Sequence, residues 1–187
     1  MPELVAVVDL GSTAVRFLLA RSTPHVGYRV LVQERVPTRL GGGPPGSLPR
    51  EAIDRTLRAV HRFFGRHFAN GRGPRIVAVA TSAVRDARNR ERLLTPLRRD
   101  EGIEVEVLAV RDEARLGVEA AMRSLRFRDG VVVDLGGASL QLSLVRSRRI
   151  VSIASLPVGA VRVTGRFLHH DPPTRREVQS LRDEIRG

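Results

Sequence analysis

The sequence predicts an α/β fold made of one domain and the start of a second copy of it. An apolar, β-branched segment, then Asp-Leu-Gly, then a second apolar segment occurs twice, over residues 5–19 and 131–145. A strand–strand–strand–helix order starts near the beginning of the chain and again near residue 130, as expected of an internal structural repeat. We expect a first domain over 1–127 and a second over 128–187, which is truncated because it stops in a helix with no returning strands.

The elements of the first domain follow from the spacing of apolar residues and from the positions of glycine and proline. The predicted strands cover residues 4–9, 14–20, 28–36, 76–80 and 104–108. Three helices are predicted. The first covers 49–68, the second follows the polar stretch 81–89 and runs through about Arg99, and the third covers 112–125. A loop over 37–48, with four Gly and three Pro, precedes the first helix. Strands that alternate with helices in this way are typical of an α/β architecture.

The second domain repeats the first part of this pattern. Two apolar strands flank its glycine turn, and a third strand is predicted over 148–156. Helices are predicted over 157–168 and from Pro172 to the end of the chain. Because no strands follow, we expect an incomplete sheet, in either a fragment of a longer protein or a chain that relies on a partner to finish the sheet.

The charge and the aromatic content narrow the choice of partners. The formal charge is +12, and all 32 basic residues are arginines spread along the chain. Such a charge favours a partner rich in phosphate, such as nucleic acid, polyphosphate or a nucleotide. A coding or thermal bias toward arginine is the other explanation. With one Tyr, six Phe and no Trp, the chain has few aromatic platforms for bases, so we do not expect nucleic acid as a partner.

The cysteine content and the apolar runs bear on the compartment. The chain has no cysteine, which excludes disulfides, thiolate metal sites and cysteine nucleophiles. No apolar run is long enough to span a bilayer, and the first residues carry no basic segment typical of a signal peptide. We therefore expect a cytoplasmic protein with no membrane partner.

The two glycine turns are the candidate functional sites. Glycine lets the backbone approach a ligand closely, and exposed N–H groups form an anion-binding concavity. Asp9 and Asp134 end the strands that lead into the turns, so each carboxylate is expected to point toward what the turn holds. A phosphate with a divalent cation fits this combination, and the alternative is that both carboxylates are buried caps of strand ends. The triplet Gly41–Gly43 is expected to be either a lid over a ligand or a flexible connection.

Five segments, in order along the chain, carry a resemblance to a known family. They are DLGSTAVR over 9–16, ATSAVRDARN over 80–89, DEARLGV over 112–118, DLGGAS over 134–139 and SLPVGAVR over 155–162. Together they resemble the exopolyphosphatase/guanosine pentaphosphate phosphohydrolase (Ppx/GppA) family, which belongs to the superfamily of sugar kinases, heat-shock 70 proteins and actin. The resemblance implies a ribonuclease H-like (actin-like ATPase) domain, with a mixed sheet and flanking helices, and the start of a second such domain.

The resemblance also implies which residues contact phosphate. In the superfamily the two glycine turns face each other across a cleft and hold phosphate from both sides. The residues so implicated are Gly11, Ser12 and Thr13 in the first turn and Gly136, Gly137, Ala138 and Ser139 in the second. Arg85 matches an arginine that clamps phosphate, a role that suits its planar, always-charged guanidinium. The local sequence alone also fits a surface arginine at the start of a helix.

The implied chemistry is Mg²⁺-dependent hydrolysis. Glu113 matches the family's general base for water, and Asp9 and Asp134 would hold Mg²⁺ as hard oxygen ligands. From the local sequence, Glu113 is also explained as an acid that offsets a helix dipole. The implied reaction releases the terminal phosphate of inorganic polyphosphate or of guanosine pentaphosphate (pppGpp), and the sequence does not choose between them. Family members commonly dimerise, which leaves a homodimer open.

Several positions depart from the family's pattern. Thr13 and Ala14 replace Asn and Ser, Ala138 replaces a glycine, and Gln141 replaces a second glutamate. An amide has a similar reach but cannot act as a base. The alternative function is therefore a catalytically degraded member that binds polyphosphate or an alarmone, guanosine tetra- or pentaphosphate, without hydrolysing it. A kinase is a third hypothesis, which the two middle segments of the resemblance disfavour.

Overall fold

The computed structural model of the protein describes residues 2–23, 26–68 and 73–186. These residues form two compact units, here named unit 1 and unit 2, which divide between Leu108 and Ala109. None of the helices in these ranges is long and apolar enough to cross a membrane.

Unit 1 is built on a five-stranded mixed sheet. Its elements, in chain order, are β1 (Glu3–Leu10), β2 (Ala14–Thr23), β3 (Gly27–Pro37), α1 (Arg50–Phe68), β4 (Arg75–Ala80), α2 (Ser82–Asp86), α3 (Glu91–Glu101) and β5 (Val105–Val107). The strand order is β3-β2-β1-β4-β5. The first three strands pair antiparallel, whereas β4 runs parallel to β1 and β5 parallel to β4. The predicted ribonuclease H-like α/β fold, with a mixed sheet and flanking helices, is confirmed.

The sequence analysis did not predict helix α2. It treated 81–89 as the polar end of a strand, but residues Ser82–Asp86 make one helical turn. The turn ends because Ala87 adopts an extended conformation (φ −82°, ψ 125°). Asn89 then bonds the backbone of Leu48, accepting from its N–H at 2.9 Å and donating to its C=O at 3.0 Å. The segment that follows α2 therefore holds the loop before α1 in place through Asn89.

The core of unit 1 joins one face of the sheet to helices α1 and α3. Alternate side chains of β1 are buried, and Phe17 of β2 stacks on Phe63 of α1 with ring centroids 4.4 Å apart. From α3, Leu93 and Leu97 complete this cluster. Each such side chain contributes about 1.5–3 kcal/mol by leaving water, so the strand that leads into the first glycine turn is firmly anchored.

Unit 2 contains a three-stranded antiparallel sheet. Its elements are α4 (Val110–Ser124), β6 (Gly130–Leu135), β7 (Leu140–Arg146), β8 (Arg149–Leu156), α5 (Ala160–Phe167) and α6 (Arg175–Arg186). The strand order is β6-β7-β8, so the second copy repeats the first three strands of the first. Helix α4 packs against all three strands. Packing thus places α4 with the second sheet, whereas the predicted limits, 1–127 and 128–187, place it before the second copy; those limits follow the sequence repeat and stay a prediction.

Helix α6 begins with a capping box. The carboxylate of Glu177 accepts hydrogen bonds from the N–H groups of Thr174 and His169, both at 2.8 Å. The N–H of Glu177 in turn donates to the Thr174 hydroxyl at 3.3 Å, as in the reciprocal pattern of this motif. The hydrogen bond from His170, followed by these backbone bonds, lowers the pKa of Glu177 from 4.5 to about 2. Since no residue of α6 is buried, its cap is a main source of its stability.

Candidate active site

The first glycine turn is a tight hairpin between β1 and β2. The N–H of Gly11 donates to the C=O of Ala14 at 3.2 Å and closes the turn. Gly11 and Ser12 are buried and Thr13 is half-buried. Within the described residues, the N–H groups of Ser12 and Thr13 donate to no other group. The turn therefore keeps two backbone donors available for an anion.

A glycine-rich loop lies against this turn. The C=O of Thr13 accepts hydrogen bonds from the N–H groups of Thr38 (3.1 Å) and Arg39 (2.9 Å), and the N–H of Gly41 donates to the C=O of Ser12 at 2.8 Å. A Cβ on Gly41 would lie 2.9 Å from the Cβ of Ser12, so only glycine lets the loop come this close. The sequence analysis left a lid and a flexible connection open for Gly41–Gly43, and the structure attaches the loop to the turn along its backbone.

Helix α2 brings Arg85 to the same region of unit 1. The hydroxyl of Ser82, at the start of α2, lies 3.2 Å from the hydroxyl of Ser12. Arg85 follows three residues later, on the same face of the helix. Its Nη1 donates to the C=O of Leu108 at 2.8 Å, which fixes the guanidinium. The structure thus brings the predicted phosphate clamp close to the first turn.

Asp9, at the end of β1, lies beside a cationic side chain. Arg16 lies directly opposite Asp9 in the register of β1 and β2. Its Nη1 lies 3.1 Å from Oδ2 of Asp9, and the two side chains are 59% and 30% exposed. Asp9 is therefore not a buried strand cap, and an arginine shares the carboxylate that the resemblance assigns to a metal.

The second glycine turn is closed by the same hydrogen bond as the first. The N–H of Gly136 donates to the C=O of Ser139 at 2.9 Å. Ala138 and Ser139 are buried. Within the described residues, the N–H groups of Gly137 and Ala138 donate to no other group. The methyl group of Ala138 thus leaves the turn closed and its backbone donors available.

The start of α5 supports the second turn from behind. The C=O groups of Gly136 and Gly137 accept hydrogen bonds of 2.8–3.0 Å from the first three residues of α5, Ala160–Arg162. Gly159 packs directly on the backbone of Ala138 and Ser139, where a Cβ would overlap it. The N–H groups at the start of α5 already donate to the turn. They therefore stabilise the turn and do not form a separate anion site.

Asp134 and Gln141 share one face of the sheet of unit 2, at the end beside the second turn, and helix α4 packs on that face. Asp134 lies directly opposite Gln141 in the register of β6 and β7. A Cβ on Gly117 of α4 would lie 3.9 Å from Oδ2 of Asp134. Glu113 precedes Gly117 by four residues and so lies on the same face of α4, one turn away. The face of α4 that lies against Asp134 at Gly117 is therefore also the face that carries Glu113, one turn nearer the start of the helix.

Gln141 is the most unusual of these side chains. It is 4% exposed, and its amide makes no hydrogen bond to any other residue that the structure describes. Among the described residues, the one buried side-chain atom without a hydrogen-bond partner is Oγ1 of Thr38, so the amide of Gln141 keeps access to solvent although the residue as a whole is buried. The amide can therefore contact water or a ligand beside the exposed Asp134.

The oxygen atoms at this site suit one divalent cation. Mg²⁺ is usually held by one or two carboxylates, several waters and substrate phosphates. Asp134 offers an exposed carboxylate, with the amide of Gln141 on the strand opposite. No group of three or more His, Cys, Asp and Glu side chains suited to a metal occurs among the described residues. The site therefore fits Mg²⁺ together with a phosphate better than Mg²⁺ held by protein ligands alone.

The supports of the turns are the residues that the sequence analysis missed. It assigned no site role to Gly159–Arg162, although 155–162 was one of its five matching segments. It noticed Gly41–Gly43 only as a cluster of glycines. In both cases a glycine outside the turn was the available signal, because close backbone approach needs a residue without a side chain.

Comparisons with known proteins identify the family to which the chain is similar. The model of the Ppx/GppA phosphatase family matches residues 18–187. Exopolyphosphatase 1 of Mycobacterium tuberculosis is 32% identical over 96% of this chain, and exopolyphosphatase 2 of the same organism is 34% identical over 97%. The crystal structure of an exopolyphosphatase from Cytophaga hutchinsonii superposes with a TM-score of 0.84 at 25% identity and covers 98% of this chain.

The chain spans only part of each relative: 53% of exopolyphosphatase 1, 60% of exopolyphosphatase 2 and 59% of the Cytophaga hutchinsonii protein. The family match begins at Leu18, within β2, and includes the Arg85 segment, α4 with Glu113 and the second glycine turn. Because this match takes in most of the chain, the chain belongs to the Ppx/GppA phosphatase family.

Proposed function

We propose that this chain is the phosphate-binding part of an Mg²⁺-dependent hydrolase that releases the terminal phosphate of inorganic polyphosphate. The observation that carries the proposal is the second turn, with two unengaged N–H groups at the same end of the sheet as Asp134 and near Glu113. The names of the relatives, which are exopolyphosphatases, support polyphosphate as the substrate. Guanosine pentaphosphate ends in a similar phosphate chain and is the alternative substrate of the same site.

The residues of the chain divide the work of phosphoanhydride hydrolysis. In unit 2 the N–H groups of the second turn hold phosphate and offset its charge, and in unit 1 the first turn and Arg85 offer donors of the same kind; such contacts are the largest contributions in phosphoryl transfer. Glu113 orients a water and takes its proton as the water oxygen bonds to phosphorus. The bond from phosphorus to the bridging oxygen breaks, and the shortened chain leaves with that oxygen. Mg²⁺, when bound at Asp134, supplies further positive charge at the phosphate oxygens.

Asp134 suits this ion better than Asp9. The guanidinium of Arg16 lies 3.1 Å from Asp9, and a second cation there would be repelled. In unit 2 the residue opposite the aspartate is the neutral Gln141. We propose Asp134 as the main protein ligand of Mg²⁺, with Asp9 available as a ligand only where its pair with Arg16 opens.

A second candidate function is binding without hydrolysis. Gln141 stands where the family pattern has glutamate, and its amide cannot accept a proton from water at neutral pH. Its amide makes no hydrogen bond to another described residue and keeps access to solvent, which suits a contact to a bound phosphate chain or to water. This candidate retains phosphate binding by the second turn of unit 2, and by the first turn and Arg85 within unit 1, and assigns no chemical step to Glu113.

The decisive experiment measures phosphate release and binding on the same samples. Long-chain polyphosphate and pppGpp are supplied with Mg²⁺ to the wild-type chain, to Glu113→Gln and to Asp112→Asn. Asp112 is the adjacent acid in the first turn of α4, so it is the matched control. Loss of general base catalysis predicts a fall of about 10²–10⁴-fold in kcat for Glu113→Gln and little change for Asp112→Asn.

Three other results would each support a different conclusion. Tight binding of polyphosphate with no release by the wild type favours the binding-only candidate. Equal turnover by wild type and Glu113→Gln would show that Glu113 is not the base. Release from pppGpp but not from polyphosphate would reassign the substrate and keep the site.

A further inference from the structure

The β7–β8 hairpin ends in a cluster of arginines that takes no part in either glycine turn. The cluster, here named the arginine tip, consists of Arg126, Arg128, Arg146, Arg148 and Arg149. An open cavity of about 520 Å³ lies within it, lined by Arg126, Phe127, Arg128, Ser147 and Arg148. A cavity of this size accommodates a small ligand or a segment of a longer one.

Hydrogen bonds hold the arginine tip in one shape. The guanidinium of Arg148 donates to the C=O groups of Phe127 and Met122, each at 3.2 Å. The N–H of Ser147 donates to the carboxylate of Asp129 at 2.9 Å. These bonds join the hairpin to the segment before β6, so the arginines of both segments present one surface. Asp129 is the one acidic residue of the two segments, and this bond already engages it.

The tip retains features that disfavour folding. Ser147 and Arg148 both adopt left-handed backbone conformations, with φ of 47° and 61°, which residues other than glycine rarely do. The register sets Arg146 directly opposite Arg149, and like charges in that position repel. The two left-handed residues form the two-residue type I′ turn that β-hairpins favour, so the like-charge pair, and not the backbone, is the unusual feature of the tip.

The charge of the tip is not neutralised within the protein. Arg126, Arg128, Arg146 and Arg149 are exposed, and within the described residues none of them forms an ion pair. Arginines elsewhere on the surface do form them, as in the pairs Arg98–Glu104 at 2.8 Å and Arg99–Asp100 at 2.6 Å. A general excess of arginine explains the number of cations but not their convergence, unpaired, around one cavity.

We propose that the arginine tip is a docking site for the chain of inorganic polyphosphate, remote from the phosphate-binding turn of unit 2. This inference rests on the proposed function for its choice of ligand. Guanidinium groups bind phosphate oxygens through paired, charge-assisted hydrogen bonds. The only aromatic side chain lining the cavity is the half-buried Phe127, so the tip lacks the stacking platforms that single-stranded nucleic acid needs.

The distance between the two sites makes the docking dependent on chain length. Strand β7 runs from the second turn to the tip over its seven residues, Leu140–Arg146, which is about 20 Å. Tripolyphosphate is too short to touch both ends, whereas a long chain reaches both at once. Contact at the tip then raises the local concentration of the chain at the turn.

The test compares binding of long-chain polyphosphate and of tripolyphosphate to the 187-residue chain in Mg²⁺-free buffer, by calorimetry over a range of salt concentrations. The variant is Arg126→Gln/Arg128→Gln, which leaves the hydrogen bonds of Arg148 in place. We expect the advantage of the long chain over tripolyphosphate, as a ratio of Kd values, to fall about tenfold, because charge-assisted contacts to the long chain are lost. The slope of log affinity against log salt for the long chain should fall by about 2.

The matched control is Arg21→Gln/Arg29→Gln. Those two arginines lie opposite each other on β2 and β3, and both are exposed, so the control removes the same charge from an exposed surface of unit 1. Circular dichroism checks that each variant remains folded. An equal loss in the control, or an unchanged ratio in the variant, would overturn the docking site.

A third outcome would also overturn it. If single-stranded DNA binds the wild type more tightly than polyphosphate does and loses that affinity in Arg126→Gln/Arg128→Gln, the tip is a nucleic-acid site. The measurement requires no turnover. Absence of phosphate release would therefore count against the proposed hydrolase and leave the binding result interpretable.

Discussion

Strands β1 and β6 have the same sequence pattern and opposite surroundings. Both are apolar, both end in Asp-Leu-Gly, and both enter a turn closed by the same backbone hydrogen bond. The inward-facing residues of β1, which are at most 1% exposed, are Ala6, Val8 and Leu10. The equivalent residues of β6, which are 59–61% exposed, are Val131, Val133 and Leu135.

The difference comes from what each strand lies beside. Strand β1 is central, with β2 on one side and β4 on the other, and helix α1 contributes to the core on its face. Strand β6 is at the edge of its sheet, and α4 packs on the face that carries Asp134. The hairpin and its turn are therefore specified locally, whereas burial depends on elements distant in sequence.

The largest expected effect is a difference in stability between Leu10→Ala and Leu135→Ala. Removing a buried leucine side chain leaves a cavity and costs about 2–5 kcal/mol, whereas an exposed one usually changes stability by about 0.5 kcal/mol or less. Urea denaturation of the two variants measures both. A cost for Leu135→Ala close to that of Leu10→Ala would show that the open face of β6 is covered in solution.

The next effect concerns the glycines that support the two turns. Gly159→Ala forces a methyl group into the backbone of Ala138 and Ser139, whereas Gly41→Ala meets mainly the side chain of Ser12. Overpacking of this kind costs about 1–3 kcal/mol, and we expect Gly159→Ala at the upper end and Gly41→Ala at the lower.

The stability of Gly159→Ala and Gly41→Ala is measured by thermal unfolding, and their phosphate binding by titration with tripolyphosphate. Gly65→Ala is the control, because a Cβ at Gly65 in α1 meets no atom within 4 Å and alanine favours a helix. Unchanged stability in Gly159→Ala would contradict the support that α5 gives to the second turn.

These supports mark the limit of what the sequence alone could predict. The hairpins were predictable, because an apolar run, a glycine turn and a second apolar run specify a local structure, and the fold class followed from the family resemblance. Gly159, Gly41 and the Asp9–Arg16 pair were not, because each depends on register or on contact between distant segments. The sequence pattern also could not predict that β6 is exposed, because Val133 and Val8 occupy equivalent positions in the repeat and yet differ in burial.

A smaller effect should follow from making the first turn resemble the second. In Arg16→Gln, Asp9 loses its cation and faces an amide, as Asp134 does. Removing one charge about 4 Å away is worth about 1 kcal/mol in water, so Mg²⁺ should bind Asp9 roughly fivefold more tightly in the variant. Titration with Mg²⁺, followed by the NMR shift of the Gly11 amide, measures it.

The control for that experiment is Arg35→Gln. Arg35 lies directly opposite Arg16 on β3, so the variant removes a nearby charge without touching Asp9. Equal gains in both variants would mean that net charge, and not the pair with Asp9, limits the metal. No gain in Arg16→Gln would show that Asp9 is not a ligand.

The smallest expected effect is a difference in pH dependence between α1, which is stabilised by packing, and α6, which is stabilised by its cap. Helix α1 buries six residues, whereas α6 buries none and depends on Glu177. The pKa of Glu177 is lowered from 4.5 to about 2, so its stabilisation of α6 is complete above about pH 4.5 and is lost as the pH falls through about 2. Amide exchange and NMR shifts of α6 should therefore change near pH 2, and those of α1 should not share this step. In Glu177→Gln the step should vanish, and a midpoint at the ordinary value of 4.5 in the wild type would show that the capping box is not formed in solution.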